Sequence, residues 1–205
     1  MTTEPSLVVL AGGRSTRFGT EDKALAPVDG RPMLTHVVES LRPATGDVVV
    51  NCRRDQRAAF ADALGGLDVR FAVDPVPDAG PVDGLRTGLR SASTADALVV
   101  GCDMPRFDAS LAGRLTEAAV GETGAAPVVD GRRAPLGVVY RVEDALEATE
   151  RTLARGDSRL REVLSRVDPV GVPAPPTALR DVDTPDALAA LHHEHGPMVD
   201  GTNAD

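Results

Sequence analysis

Tryptophan is absent from this 205-residue chain, tyrosine occurs once and phenylalanine four times. Aromatic platforms for stacking single-stranded nucleic acid are therefore scarce, and a net charge of −9 lacks the basic face that nucleic-acid binders normally show. A bound nucleotide is still allowed, because a local site can be basic inside an acidic surface. Cysteine is nearly missing as well. Cys52 and Cys102 form neither a disulfide framework nor a metal-ligand spacing. Each follows a valine-rich run and reads as a small buried residue at a strand end. No segment approaches the ~20 apolar residues of a membrane span, and no basic N-terminal segment leads into a long apolar run. The expectation is a soluble, cytoplasmic protein with no membrane or nucleic-acid partner.

Lysine is the sharpest shortage. Lys23 is the only lysine among 22 basic residues, the others being arginine. High-salt adaptation produces an acidic, lysine-poor chain, and a GC-rich coding bias produces the same pattern. Under either cause, one retained lysine points to a need for a compact ammonium rather than a guanidinium fork.

What is present is aliphatic. Hydrophobic residues make up 42% of the chain, enough for one sizeable core, and the length suits a single α/β domain. The expected domain spans residues 1–196, with a polar, disordered tail at 197–205. Apolar runs at Ser6 to Ala11, Asp47 to Asn51, Val69 to Val73, Ala97 to Gly101 and Ala125 to Val129 read as strands. Helical patterns fall between them at Arg31 to Leu41 (Pro32 in its first turn), Gln56 to Leu64, Val82 to Ser91 and Ala109 to Val120. Strands without polar alternation are covered on both faces, so the chain reads as a doubly wound α/β fold with a mostly parallel sheet. Asp130-Gly131 signals a hairpin and Pro135 to Arg141 its return strand. Glu143 to Ala154 and Ser158 to Ser165 read as helices, Val170 to Pro176 as a proline-rich turn. Thr184, followed by Pro185, caps a last helix to about Leu191.

The first strand runs into Gly12-Gly13-Arg14-Ser15-Thr16-Arg17-Phe18-Gly19. Glycines let backbone amides approach an anion closely, and successive amides form a nest for phosphate. The run is not the G-x-x-x-x-G-K-[ST] loop, because Gly19 comes one residue late and no lysine follows it. It is not G-x-G-x-x-G either, because its glycines are adjacent. A plain glycine-rich turn is the bland alternative. Lys23 follows closely, as a phosphate contact or a solvated surface lysine. The fourth strand ends in Gly101-Cys102-Asp103-Met104-Pro105. A carboxylate at that edge, beside a triphosphate, suits Mg²⁺, which takes one or two carboxylates with waters and phosphate oxygens; alternatively Asp103 caps the next helix. Asp74 closes the third strand at the same kind of address, and the stiff loop Ala79 to Leu85 suits the lining of a base or sugar. His192, His193 and His195 invite a metal reading, against a solvated cluster at a helix end.

LAGGRSTRFG with DKAL, VVVNCRR, VDPVPDAGPVDGL and VVGCDMP together resemble the MobA family, molybdenum cofactor guanylyltransferases of the Rossmann-like nucleotidyltransferase superfamily. PLGVVYR, GDSRLREVL and DVDTPDAL are similar to that family's acceptor-side half, so the resemblance covers nearly the whole chain. It implies a three-layer α/β/α fold that uses GTP, a molybdopterin-type acceptor and Mg²⁺, with transient contact to molybdenum cofactor enzymes or insertases. Leu10, Ala11 and Gly12 would then contact the guanine nucleotide, with Gly13, Ser15, Arg17 and Lys23 at phosphate. Asn51, Asp74 and Gly84 would lie on the nucleoside side, Asp103 would hold Mg²⁺, and Arg159, Asp181 and Asp183 would face the acceptor. Arg17, Lys23 and Asp103 are the implied catalytic set. The adjacent glycines of Leu-Ala-Gly-Gly are similar to the guanine-using members. The chain departs from the pattern at Asp181 and Asp183, where two asparagines are usual, at Gly137, where a bulky residue is common, and at Asp83, where a small one is. Asp181 and Asp183 also suit a helix-capping cluster. Adenosylcobinamide phosphate, phospholactate and cytidylyl transfer remain alternatives, as does a non-catalytic nucleotide-binding chaperone.

Overall fold

In a computed structural model, which describes residues 4–14, 18 and 22–194, the chain begins with strand β1 (Ser6–Leu10). A short hairpin of β2 (Pro27–Val28) and β3 (Arg31–Pro32) follows, then helix α1 (Met33–Leu41) and β4 (Val48–Cys52). Next come α2 (Arg57–Ala63), β5 (Arg70–Val73), α3 (Pro81–Leu89), β6 (Asp96–Gly101) and α4 (Ala109–Ala118). The second half holds β7 (Gly124–Val129), β8 (Arg132–Arg133), β9 (Val138–Arg141), α5 (Val142–Leu153), α6 (Leu160–Val167), β10 (Val170–Pro173) and α7 (Pro185–Glu194).

The main sheet runs β10-β7-β9-β6-β1-β4-β5, with β8 paired to β7. Neighbours are parallel except where β9 lies antiparallel between β6 and β7, and where β8 returns along β7. Because side chains alternate along a strand, each buried strand feeds two cores. Leu7 and Val9 pack with Leu34 and Val37 of α1, Phe60 of α2 and Leu111 and Leu115 of α4. Val8 and Val49 pack with Leu85 and Leu89 of α3, Ala145 of α5 and Val163 of α6. Helices on both faces of a mostly parallel sheet make the expected three-layer α/β/α fold.

Three local readings change. The helix expected from Arg31 begins at Met33, because Asp29 and Gly30 both take positive φ and turn Arg31–Pro32 back along Pro27–Val28. The segment from Val170, expected as a turn, is in fact strand β10, parallel to β7; a proline is tolerated there because the strand is at the sheet edge. The return strand expected from Pro135 is confined to Val138–Arg141. The Asp130-Gly131 hairpin forms, with both residues at positive φ, and Thr184 Oγ1 accepts the Ala187 N–H at 3.1 Å as the cap of α7.

Candidate active site

Strand β1 is flanked by β4 on one side and β6 on the other, so successive connections leave its carboxyl end in opposite directions, the place where open α/β sheets collect ligands. Pairing continues past the strand ends. Ala11 donates to the Asn51 carbonyl at 2.9 Å and Cys102 to the Leu10 carbonyl at 3.1 Å. These two bonds set Gly12, Asn51 and Asp103 side by side at the rim of a cleft of about 350 Å³. Leu10, Gly12, Gly13, Lys23, Asn51, Asp74, Gly84 and Asp103 all line that cleft.

The glycine loop is held from outside by residues the sequence did not single out. Arg53 Nη1 donates to the carbonyls of Gly12 and Gly13 at 2.7 and 2.6 Å. Gln56 Nε2 reaches the Ala11 and Gly13 carbonyls at 3.1 and 3.3 Å and Asp22 Oδ2 at 2.5 Å. Asp22 in turn caps the short 3-10 turn Lys23–Leu25 by accepting from the Ala24 N–H. Gln56 thus ties the loop to the turn that carries the lysine. Across the mouth, Arg14 forms an ion pair with Asp78 of the loop before α3.

Lys23 Nζ donates to Asp103 Oδ2 at 2.5 Å and to Asp183 Oδ1 at 2.9 Å. Burial alone would lower the lysine pKa. The Asp103 charge and the hydrogen bonds to Asp103 and Asp183 outweigh it and raise the pKa above the ordinary lysine value. Asp103 does not cap the next helix: Asp108 does, accepting the Leu111 N–H at 2.8 Å. The Asp103 carbonyl accepts the Val182 N–H at 2.9 Å, which stitches the Asp181 to Asp183 segment to the end of β6. Asp181 stands in that crowd of carboxylates. Desolvation by the surrounding atoms, then the charges of Asp103 and Asp183, push its carboxyl up to about 6 against the pull of Lys23. The helix cap at α7 is Thr184, so the capping reading of Asp183 gives way to its bond with Lys23.

On the other wall, Asn51 is buried and its amide donates to the Ala72 carbonyl at 3.1 Å and to Asp74 Oδ1 at 2.6 Å. Burial raises the Asp74 pKa, hydrogen bonds from Asn51 and Thr87 oppose the rise, and the Asp83 charge adds to it. Two glycines are demanded here by close approach. A Cβ on Gly12 would stand 2.9 Å from Asp74 Oδ2, and one on Gly84 2.7 Å from Asn51 Oδ1. Asp83, Leu136 and Leu160 also line the cleft; the two leucines lie inside PLGVVYR and GDSRLREVL, motifs whose leucines the sequence reading did not single out.

Not every expected residue faces the cleft. Ala11 is buried in the core beside the loop. Arg159 is exposed and ion-paired to Asp157 and Glu162, although Leu160 after it reaches the cleft. Ser15, Arg17 and His195 lie outside the described residues, as does the tail beyond. Among the described residues no group of three or more His, Cys, Asp or Glu is arranged to hold a metal ion, and no helix is long and apolar enough to cross a membrane. Asp103 and Asp183 nevertheless bring carboxylate oxygens onto one ammonium. Two hard oxygen donors converging on one positive centre suit Mg²⁺, which relies on water and phosphate for its other ligands.

Comparison with known proteins accords with this geometry. The chain is 45% identical over 158 residues to a protein of Haloferax mediterranei named "Probable molybdenum cofactor guanylyltransferase", covering 77% of this chain and 75% of that one. It is 36% identical over 199 residues to the molybdenum cofactor guanylyltransferase of Pseudomonas paraeruginosa, covering 92% and 94%. The crystal structure of molybdopterin-guanine dinucleotide biosynthesis protein A from Archaeoglobus fulgidus superposes with a TM-score of 0.74 at 21% identity, over 92% of this chain and 97% of that one, a likeness of fold. The family model described as the MobA-like NTP transferase domain matches residues 7–170, four-fifths of the chain, and the chain belongs to that family.

Proposed function

We propose that the protein transfers GMP from GTP to the terminal phosphate of molybdopterin, or of its molybdenum-loaded form, releasing pyrophosphate. An acceptor phosphate oxygen attacks the α-phosphorus, the bond from that phosphorus to the bridging oxygen of the β-phosphate breaks, and the electron pair leaves on pyrophosphate. A phosphate monoester is already anionic near neutral pH, so no side-chain nucleophile is needed. The protein's contribution is positioning and charge neutralisation. Gly12 and Gly13 offer backbone amides to the phosphates, and Lys23 and Arg17 offer positive charge. Asp103 would hold Mg²⁺, with Asp183 in reach of the same position, and the ion would neutralise phosphate charge that builds up as pyrophosphate departs. Asp74, Asn51 and Gly84 stand on the nucleoside side, while Arg159, Asp181 and Asp183 belong to the acceptor side. A cytoplasmic setting goes with this reading.

The observation that carries the reading is the chain's single lysine set beside Asp103, next to a glycine loop at the carboxyl end of the central strand. Lys23→Ala and Asp103→Ala should each lower turnover at least ~100-fold, as expected when an electrostatic catalytic group is lost. Near-normal rates in both variants overturn the assignment. The carboxylates at 181 and 183, which resemble the cytidylyltransferase pattern, favour one second reading, the same fold serving another acceptor or base. Pyrophosphate release measured with GTP, CTP and ATP against molybdopterin, adenosylcobinamide phosphate and phospholactate separates the two.

A further inference from the structure

Helix α3 brings an unusual acceptor to the cleft. Asp83, in its first turn, is only 5% exposed. Its Oδ1 accepts from Arg86 one turn later, and its carbonyl accepts the Thr87 hydroxyl at 2.9 Å. Its Oδ2 is buried and has no hydrogen-bond partner among the described residues, yet Asp83 lines the cleft together with Asp74. Buried polar atoms in native proteins are almost always paired, and an exception asks for an explanation in function. An acidic residue kept in this place, with an arginine holding its other oxygen, is suited to a ligand that brings its own donor.

The neighbours restrict what that ligand can be. Gly84 and Gly12 are pressed against Asn51 and Asp74, and the Asn51 amide N–H groups are already given to the Ala72 carbonyl and to Asp74. Arg86 is held on the other oxygen of Asp83, which leaves Asp83 Oδ2 as the acceptor still to be matched. Among nucleobases, only guanine presents two adjacent N–H groups, N1–H and the exocyclic 2-amine, with no acceptor between them. Adenine and cytosine place a ring lone pair beside their single amine, and uracil flanks its N–H with two carbonyls. A carboxylate oxygen attracts the first edge and repels the lone pairs of the others, which is selection by repulsion as much as by attraction.

We propose that Asp83 is a specificity-determining residue that accepts the N–H donors of the guanine edge. This rests on the guanine-nucleotide reading of the cleft and adds the residue that reads the base. The test is equilibrium binding of GDP and of inosine diphosphate, which lacks only the 2-amine, to the wild-type protein, Asp83→Asn and Asp83→Ala. The wild type should bind GDP at least ~10-fold more tightly than inosine diphosphate, the loss expected for a hydrogen bond to a charged acceptor. In Asp83→Asn the Arg86 contact retains the amide oxygen and turns a donor to the base, so the ratio should fall to about 1 to 2; Asp83→Ala should behave likewise. A wild-type ratio near 1 overturns the proposal without any variant, so a variant that fails to fold does not shield it. A folded variant that keeps the wild-type ratio overturns it as well. Binding of CDP or ADP in preference to GDP by the wild type would instead remove the guanine reading itself, and the proposal with it.

Discussion

Lys23 draws Asp103 from the end of β6 and Asp183 from the approach to α7 onto one nitrogen, a geometry supported by the Gln56–Asp22 bond behind the lysine turn and by the Val182 N–H on the Asp103 carbonyl. Its importance was legible because a lone lysine beyond a strand-end glycine loop is chemically conspicuous, and the same holds for Asp74 and Asp103 at strand ends. Arg53 and Gln56 were not legible. Their task is to hold carbonyls of a loop about 40 positions earlier in the chain, and nothing in local composition encodes that. Asp83 stood out only as a departure from a family pattern, since its unpaired oxygen is a property of packing. Another unpaired atom belongs to Tyr140, whose hydroxyl is buried with no hydrogen-bond partner among the described residues. Tyr140→Phe removes a polar group that earns no bond, so it should be neutral or stabilise the fold by up to about 1 kcal/mol. A chemical denaturation midpoint that falls clearly below wild type would contradict this.

At the scale of elements, continuous aliphatic runs such as Leu7 to Leu10 and Val48 to Val50 declared buried parallel strands, and the structure has them within a residue of expectation. Elements defined by turns or by edge position were harder to read. Strand β10 carries a glycine and a proline, and it counts as a strand only because β7 supplies a partner. The connection into β9 has its own requirement. Gly137 takes φ +74°, and a Cβ there would come within 2.5 Å of the Phe107 ring, itself fully buried. A bulky residue cannot be placed here without strain and overpacking. Gly137→Val should therefore destabilise by about 3 kcal/mol or more, read as a drop in the thermal or urea midpoint. Unchanged stability would mean that the β8–β9 connection adapts freely.

Over the whole molecule, the two thiols report on the integrity of both the site and the core. Burial, with the Asp74 charge adding to it, pushes the Cys52 thiol up to about 11, and burial with the Asp103 charge raises Cys102 further. A raised thiol pKa means less thiolate, the reactive form. At pH 8 the folded protein should therefore resist iodoacetamide at both positions, while denatured protein is alkylated at both. Mass spectrometry showing prompt modification of the folded chain would place a breach at the strand ends.

One small apolar cluster gives the site a dependence that its charges do not advertise. Ala26 and Val28 follow the lysine turn closely, Val182 precedes Asp183, and both segments are packed with Met33 and Leu191 away from the two main cores. The segment that brings the Asp183 carboxylate to 2.9 Å from the ammonium is thus backed by an apolar contact between the start of α1 and α7. A truncated methyl group in that cluster, distant from any phosphate, would register as a change in electrostatics, because at this distance an ion pair converts tenths of an ångström into energy.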